Sequence, residues 1–539
     1  MKSNYNTIKI EVDQAASIAQ SLYNIEGEIS ILHGESDFNF KLKTSTENYI
    51  LKISRPDSQL EYFRFQQATI NHINVSCIDL VSPRLYPDLQ GNYISEIKDS
   101  AGRIRIVRLL SWVEGRLWSS INPIDDELLY SLGVEAGKLT TALNGFDHPM
   151  AHRRFEWDLA QAEWTYNHTD QFTSEQQSSV SYFQEQFESI KKQYARLRKG
   201  VIHNDINDNN IIVSDDRLRP QVTSIIDYGD AVHTQIINEV AITIAYAIMN
   251  KPDVLDAAMP VVNGYNNQFP LLEAELPFLY NLVAMRLIIS VTKAKLNKQK
   301  EPENKYLLIS EQSAWDVLEK WRQVNRSFAL YMFRNACGFE AHSNGKKFKN
   351  WVKKHPVELS ALFPKIANEN IHTIDMSVSS PLSGSLTYPP DLKLFKFKLD
   401  ELQARYPDKI LAGGYLEPRF LDNPGSCEKE GNNGNELQSI HLGADFWLPA
   451  GTAVHAVYEG KVVVSTHQSE AGQFGGLIVL RHRANSFDFY ILYAHLSAAS
   501  IENVSVGETI KPGERIGLLG ETFENGQVSP HLHFQVMLS

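Results

Sequence analysis

Apolar and polar residues alternate along residues 31–53, ILHGESDFNFKLKTSTENYILKI, with a turn-rich STEN in the middle. A period of two marks strands with one buried face, so this stretch predicts an antiparallel hairpin. Residues 58–74 carry a helical period instead, and RIRIVRLLSWVEG (103–115) reads as a buried strand running into a connector. From 126 to 200, Leu, Phe and Trp recur at helical spacing. A polar loop, VIHNDINDNNIIV (201–213), then leads to a strand VTSIID (222–227) and more helices to about 335. The pattern predicts a small β-rich lobe over about 1–110 and a larger helical lobe over about 111–340.

The pattern changes over 341–405. HSNGKKFKNWVKKHP is basic, and MSVSSPLSGSLTYPPD is rich in Ser, Pro and Gly, so the segment reads as a connector between domains. From 406 to 539 short strands dominate, TAVHAVYEGKVVVS, GGLIVLRH, FDFYILYAHL, ERIGLLG and HLHFQVML among them, with Gly-rich turns between. This predicts a compact all-β domain. There are no internal repeats.

With 539 residues, 43% hydrophobic and 22% charged, the chain is an ordinary multidomain globular protein. Its net charge of −12 argues against a general nucleic-acid binder, which needs a basic face. Cys77, Cys337 and Cys427 are too scattered for a disulfide framework or a Cys-x-x-Cys zinc knuckle. MKSNYNTIKIEVD lacks the apolar core of a secretory signal. The apolar run VAITIAYAIM (240–249) is short of the ~20 residues that span a bilayer. The expectation is a reduced, cytoplasmic protein that does not act in a membrane.

The polar loop is the first candidate site. Two short apolar runs hold it, so its side chains can converge on one point. Phosphoryl transfer needs a carboxylate to orient and deprotonate the attacking hydroxyl, with an amide and a second carboxylate to hold Mg²⁺ against nucleotide phosphates. His203-x-Asp205 followed by Asn210 supplies the base and the amide, and IIDYGD (225–230) supplies Asp227. Lys52, on the YILKI strand, can pair with phosphate. His203 is expected to fix the loop by bonding to backbone.

A second constellation lies near the C-terminus. In a strand, residues two or four apart share a face. That puts His441 with Asp445 in HLGAD, and His531 with His533 in HLHF. Two such strands side by side offer His, Asp and His to one metal ion, leaving a position open as catalytic zinc sites do. YAHL (493–496) adds His495.

The stretches GESDFNF (34–40), YILKIS (49–54), VRLLSWVEG (107–115), HNDINDNNIIV (203–213), IIDYGD (225–230) and NKYLLISEQSAW (304–315) resemble the aminoglycoside phosphotransferase and choline kinase superfamily. Within it, the likeness is nearest to hydroxylysine kinases. That implies an α+β, protein-kinase-like bilobal fold over residues 1–340. It implies Asp205 as base, Asn210 and Asp227 as metal ligands and Lys52 on the phosphates of ATP or GTP. Backbone near Leu110, Ser111 and Trp112 would meet the base. An acid on the following helix would pair with the lysine; Glu61 is one candidate, and Gln66 is the other occupant of that position.

Residues 410–539, including LPAGTAVHAVYEGKVV (448–463) and VGETIKPGERIGLLG (506–520), resemble the lysostaphin and LytM-like zinc metallopeptidases. By that resemblance His441, Asp445 and His533 bind zinc, while His495 and His531 polarise water and stabilise the oxyanion. The resemblance also implies a pyridoxal-phosphate aminotransferase-like domain or protein as a partner. A chain ending at Ser539 has no room for one.

The expected activity is nucleotide-dependent phosphorylation of a small hydroxylated amine or amino acid: hydroxylysine, ethanolamine, choline or an aminoglycoside. The alternative is a zinc endopeptidase whose kinase-like half senses a metabolite. Cationic acceptors need carboxylates or aromatic faces, and RRFEWDLAQAEW (153–164) offers Glu156, Trp157, Asp158 and Trp164, each of which reads equally as ordinary helix packing.

Overall fold

The computed structural model describes residues 9–32, 34, 37–56, 58–77, 79–300, 311–366, 370–382, 392–419, 428–437, 440–470 and 472–538. Glu35 and Ser36 of the first motif, residues 304–310, much of the Ser/Pro/Gly segment and Cys427 lie outside these. The chain forms two compact units, Met1–Ala341 and His342–Ser539.

The first unit opens with helix α1 (Val12–Tyr23), whose start is closed by a reciprocal Glu11–Gln14 capping box. A mostly antiparallel sheet follows: β1 (Glu28–Leu32), β2 (Asp37–Lys43), β3 (Asn48–Ser54), helix α2 (Leu60–Ser76), then β4 (Leu85–Tyr86), β5 (Ser95–Lys98) and β6 (Ile104–Ser111). Its order is β1-β2-β3-β6-β4, with β5 also on β6. The period-two stretch is the β2–β3 hairpin, and β1, which ends inside it, pairs along β2. The β2–β3 turn is held by Thr44, whose hydroxyl donates to Glu47 O at 2.7 Å and accepts from Glu47 N at 3.0 Å. Phe40, Leu42, Leu51, Ile53, Val107 and Leu109 pack on α1 as one core.

The larger lobe holds β7 (Arg116–Leu117), α3 (Asp126–Leu143), α4 (Ser174–Tyr194), and short strands β8 (Lys199–Ile202), β9 (Ile211–Val213), β10 (Val222–Ile225) and β11 (Val232–Gln235). Helices α5 (Ile237–Ala247), α6 (Val254–Gln268), α7 (Leu276–Lys300), α8 (Glu311–Gln323) and α9 (Arg326–Ala336) complete it. The polar loop joins β8 to β9; β9 pairs with β10, and β8 with β11. Although α7 is long and apolar enough to cross a membrane, most of it is buried in this unit's core.

In the second unit, much of the expected connector is folded. Helices α10 (Gly345–Lys354) and α11 (Leu359–Leu362) precede β12 (Ile371–Thr373) and α12 (Leu392–Arg405). Leu359, Leu362 and Phe363 are buried, and Phe348 and Trp351 pack against the same core. The helical pattern of FKNWV escaped notice because its lysines dominate the composition. An eight-stranded sheet forms the body, built on β13 (Ile410–Gly413), β18 (Ala444–Trp447), β20 (Gly460–Gln468), β21 (Gly475–Ala484), β22 (Phe487–Leu496) and β25 (His531–Met537). Beside it, β14 (Glu417–Pro418) pairs with β17 (Ile440–His441).

Candidate functional site

In the first unit, a cavity of about 680 Å³ is lined from the sheet, α2, the 201–213 loop, the turn after β10, and α7. Asp205, Asn210, Asp227 and Lys52 all reach it. The Asp205 carboxylate accepts from Asn210 Nδ2 at 2.8 Å, Asn207 Nδ2 at 2.9 Å and the Arg286 guanidinium at 2.8 Å. His203 is buried, its Nε2 donating to Ile226 O at 3.0 Å and its Nδ1 accepting from Asp205 N at 3.2 Å. Burial pushes its imidazole down to about 4, so it stays neutral. Glu239, also buried, clamps the loop by accepting from His203 N at 2.7 Å and Asn204 N at 2.9 Å.

Lys52 Nζ lies 3.1 Å from Asp227 Oδ2. That ammonium holds the Asp227 carboxyl below the usual carboxylate range, so it is ionised and ready for a cation. Asp227 has a left-handed backbone, φ 67°, as does Asn204 beside Asp205. Such conformations cost non-glycine residues energy and cluster at functional sites.

Glu61 does not reach the cavity. It pairs with Arg64 at 2.6 Å, its side chain 59% exposed. At ~100° per residue, Glu61 and Gln66 project ~140° apart around α2, and Gln66 is the one on the buried face. The Gln66 side-chain oxygen is occupied by Arg108, which also donates to Asp37 at 2.6 Å. Neither candidate touches Lys52 in this structure; Asp227 does. Leu110, Ser111 and Trp112 line the cavity. The Ser111 and Trp112 N–H groups, however, donate to Arg84 O at 2.8 Å and Asn48 O at 3.0 Å, which leaves side chains and carbonyls as what they can offer.

Of the four aromatic-acidic candidates in 153–164, Trp157 lines the cavity. Glu156 pairs with Lys293, and Asp158 is buried, accepting from Thr234 at 2.7 Å. Trp164 donates to Glu156 O at 2.7 Å.

Sequence reasoning missed three residues here. Arg286 is fully buried, against Asp205 and over the rings of Trp157 at 4.6 Å and Tyr246 at 5.3 Å. Its signal was a lone arginine inside the apolar run LPFLYNLVAMRLIIS. Arg108 had no such mark. Asp230 lines the cavity, and burial, with Asp205 and Asp227 nearby, pushes its carboxyl well above the ordinary range.

In the second unit, antiparallel pairing puts Asp445 directly opposite His533, and Trp447 opposite His531. One ligand atom from each of His441, Asp445 and His533 lies within 4.8 Å of the others. Asp445 is 2% exposed. Burial alone would raise its carboxyl, yet hydrogen bonds from His441 and His533 hold it well below the ordinary range.

The donor set fits a metal. His441 Nδ1 is 2.7 Å from Gly414 O, an atom that only accepts, so a neutral His441 carries its proton there. His533 Nδ1 lies 3.1 Å from Asp445 Oδ1, an ionised oxygen that only accepts, and its Nε2 lies 3.3 Å from Gln535 Oε1. His441 Nε2, 2.9 Å from His533 Nδ1 and 3.3 Å from Asp445 Oδ2, is left as an acceptor, so two ring nitrogens and a carboxylate converge where a bound cation would take the place of a shared proton. Two glycines make the geometry reachable. A Cβ on Gly443 would come within 2.6 Å of the His533 ring, and one on Gly414, φ 107°, within 2.8 Å of His441 Nδ1.

His495 and His531 stand alongside, ring centroids 4.2 Å apart. Their Nδ1 atoms bond to Asn525 O and Ser529 O, each at 2.7 Å, which leaves both Nε2 atoms as acceptors. Burial lowers both imidazoles, His495 well below the usual value. His495 has φ 64°, a third strained backbone beside a site. Arg419 was not anticipated: it donates to Asp445 Oδ2 at 2.6 Å and to Glu417 at 2.7 Å.

Residues 28–268 match the model of the phosphotransferase enzyme family, and residues 439–539 that of peptidase family M23. The chain is 27% identical to a hydroxylysine kinase of Mus musculus over 331 residues, covering 57% of this chain and 88% of that protein. It is 38% identical to lysostaphin of Staphylococcus staphylolyticus over 102 residues, 19% of each chain. Among solved structures, a microcompartment-associated aminopropanol kinase aligns with TM-score 0.46 and 17% identity, over 62% of this chain and all of that one.

Proposed function

Because the chain carries a phosphotransferase enzyme family domain followed by a peptidase family M23 domain, we propose that its N-terminal unit transfers the γ-phosphoryl group of ATP or GTP to a hydroxyl of a small amine-bearing compound. The observation that carries this is the meeting of Asp205, Asn210, Asp227 and Lys52 on one cavity. The acceptor oxygen attacks the γ-phosphorus, the bond from that phosphorus to the β–γ bridging oxygen breaks, the hydroxyl proton passes to Asp205, and the nucleoside diphosphate leaves. Arg286, Asn207 and Asn210 hold the Asp205 carboxylate in place. Asn210 and Asp227 offer the hard oxygen ligands that Mg²⁺ takes, and a bound Mg²⁺ would neutralise phosphate charge. Lys52 moves from Asp227 to phosphate.

A relative named for hydroxylysine supports a hydroxylated amine or amino-acid acceptor. We place the reaction in the cytoplasm, where nucleoside triphosphates are made. The aminotransferase-like partner finds no support in the two family matches and is not part of this reading. The test is a screen of hydroxylated amines and amino acids for ATP- or GTP-dependent phosphorylated product, using full-length protein. Nucleotide hydrolysis without any phosphorylated acceptor would defeat the kinase reading.

A second reading concerns the C-terminal unit and rests on the convergence of the His441 and His533 ring nitrogens with the Asp445 carboxylate. These residues and Asp445 would hold Zn²⁺, which supplies Lewis acidity to a peptide carbonyl and to water. His495 and His531, neutral with Nε2 free to accept, would take the proton of the attacking water and orient it. Peptide cleavage by zinc-loaded protein, lost on chelation and in His495→Ala, tests this.

A further inference from the structure

The sheet side of the kinase cavity holds a cation that the reaction above leaves without a task. Arg108, on β6, lies directly opposite Lys52, on β3, in the antiparallel pairing. Residues paired in this way share a face, with Cβ atoms ~5 Å apart. Both side chains line the cavity. A guanidinium and an ammonium thus stand side by side next to Asp227, which lies 3.1 Å from the ammonium.

Arg108 is unfavourable as a mere brace. It is buried, its guanidinium 4.5 Å from the centre of the Phe63 ring. Nη1 donates to Gln66 Oε1 and Nη2 to Asp37 Oδ2 at 2.6 Å, while Nε has no partner. A buried charged donor left unpaired is destabilising. A tether between α2 and the start of β2 requires neither the charge nor the unpaired N–H.

The two cations are held alike. Lys52 is bonded to Asp227 and Arg108 to Asp37, each through one oxygen of a carboxylate that lines the same cavity. Neither Glu61 nor Gln66 of α2 offers Lys52 a charge, since Glu61 is paired with Arg64 and the Gln66 oxygen is spent on Arg108. A nucleoside di- or triphosphate, counted together with Asp227, carries more negative charge than one Mg²⁺ and one ammonium offset. Arg108 supplies a further cation. Its Nε and Nη2 form the edge of the guanidinium that grips a phosphate through two parallel N–H bonds. Asp37 uses only the Nη2 half of that edge.

We infer that Arg108 is a second phosphate-binding residue of this site. When nucleotide binds, the Nε–Nη2 edge passes from Asp37 to phosphate oxygens, while Gln66 keeps hold of Nη1. The inference rests on the kinase reading above and adds to it a selectivity for the phosphate chain.

The experiment measures binding to the full-length protein in Mg²⁺ by calorimetry. ADP and GDP are each compared with their nucleoside, the weaker ligand read by displacement. A charge-assisted contact of this kind is worth about 10- to 100-fold in affinity. Arg108→Gln should weaken the diphosphate by that factor and leave the nucleoside unchanged, and Arg108→Lys should recover part of the loss. Asp37→Asn removes the competing carboxylate and should tighten the diphosphate ~3- to 10-fold. That variant leaves the buried arginine in place and carries the test alone if Arg108→Gln does not fold. Equal losses for diphosphate and nucleoside in Arg108→Gln would overturn the inference and leave the kinase reading intact. So would weaker diphosphate binding in Asp37→Asn, because Asp37, Arg108 and Gln66 would then only brace the sheet. Wild-type protein that binds neither ADP nor GDP would overturn both.

Discussion

Arg286 gives the sharpest test of how the kinase site works. In Arg286→Met, a side chain of similar length fills the space and the charge is gone. The guanidinium is fully buried, while the Asp205 side chain keeps 21% of its surface. An opposite charge in contact lowers a carboxyl by ~1–3 units. Arg286 favours the ionised form, and the base must be ionised to accept a proton. Removing the guanidinium therefore raises the Asp205 pKa, and activity is lost as pH falls through the new value. The acid limb of kcat/KM should move to higher pH. The loss at the acid end of the profile should thus exceed the loss at pH 8.5. The assay is direct measurement of phosphorylated acceptor at saturating nucleotide across pH 5.5–9. An acid limb that superimposes on wild type, with activity lowered equally at every pH, would show that Arg286 acts by packing alone.

Asp205→Ala should lower turnover ~10²–10⁴-fold, the scale of general-base catalysis; unchanged substrate-dependent turnover rejects it as the base. Protein purified without a histidine tag should bind one zinc ion per chain by elemental analysis, and His533→Ala should not. His203, pushed down to about 4 from an unfolded value near 6.5, resists a proton that the unfolded chain accepts. Stability should therefore fall as pH drops from ~6.5 to ~4, and His203→Gln should flatten that slope in urea titrations. Glu239, pushed up to about 7 by burial, slopes the other way and is common to both proteins. Residues 1–341 expressed alone should keep most of the kinase activity; a folded but inactive fragment beside active full-length protein would show that the units cooperate.

Residues whose chemistry was written into a local pattern were legible in the sequence. Asp205 and Asn210 share one loop, and His531 and His533 share one strand, whereas His441 ends one short strand and Asp445 lies on the next, so their meeting comes from the sheet rather than from a period of two. Residues that act across the chain were not. Arg286 lies 81 positions from Asp205, and Arg419 lies 26 from Asp445. Glu61 failed because carboxylate chemistry was weighed above helix geometry, while Gln66, a less obvious residue, holds the buried face. Along 345–363 the charge of the lysines hid an apolar stripe that tertiary packing uses.

Arg419 also bears on the order in which the C-terminal unit is made. A buried carboxylate without a counter-charge opposes folding, and small zinc domains often cannot fold before their ion arrives. Here the chain supplies its own guanidinium to Asp445, and the eight-stranded sheet has an apolar core of its own. Folding of the unit therefore does not have to wait for a metal. On the zinc reading proposed above, the unit would mature into a folded apo-protein first, and metal supply would then set the active fraction of a pool that already exists.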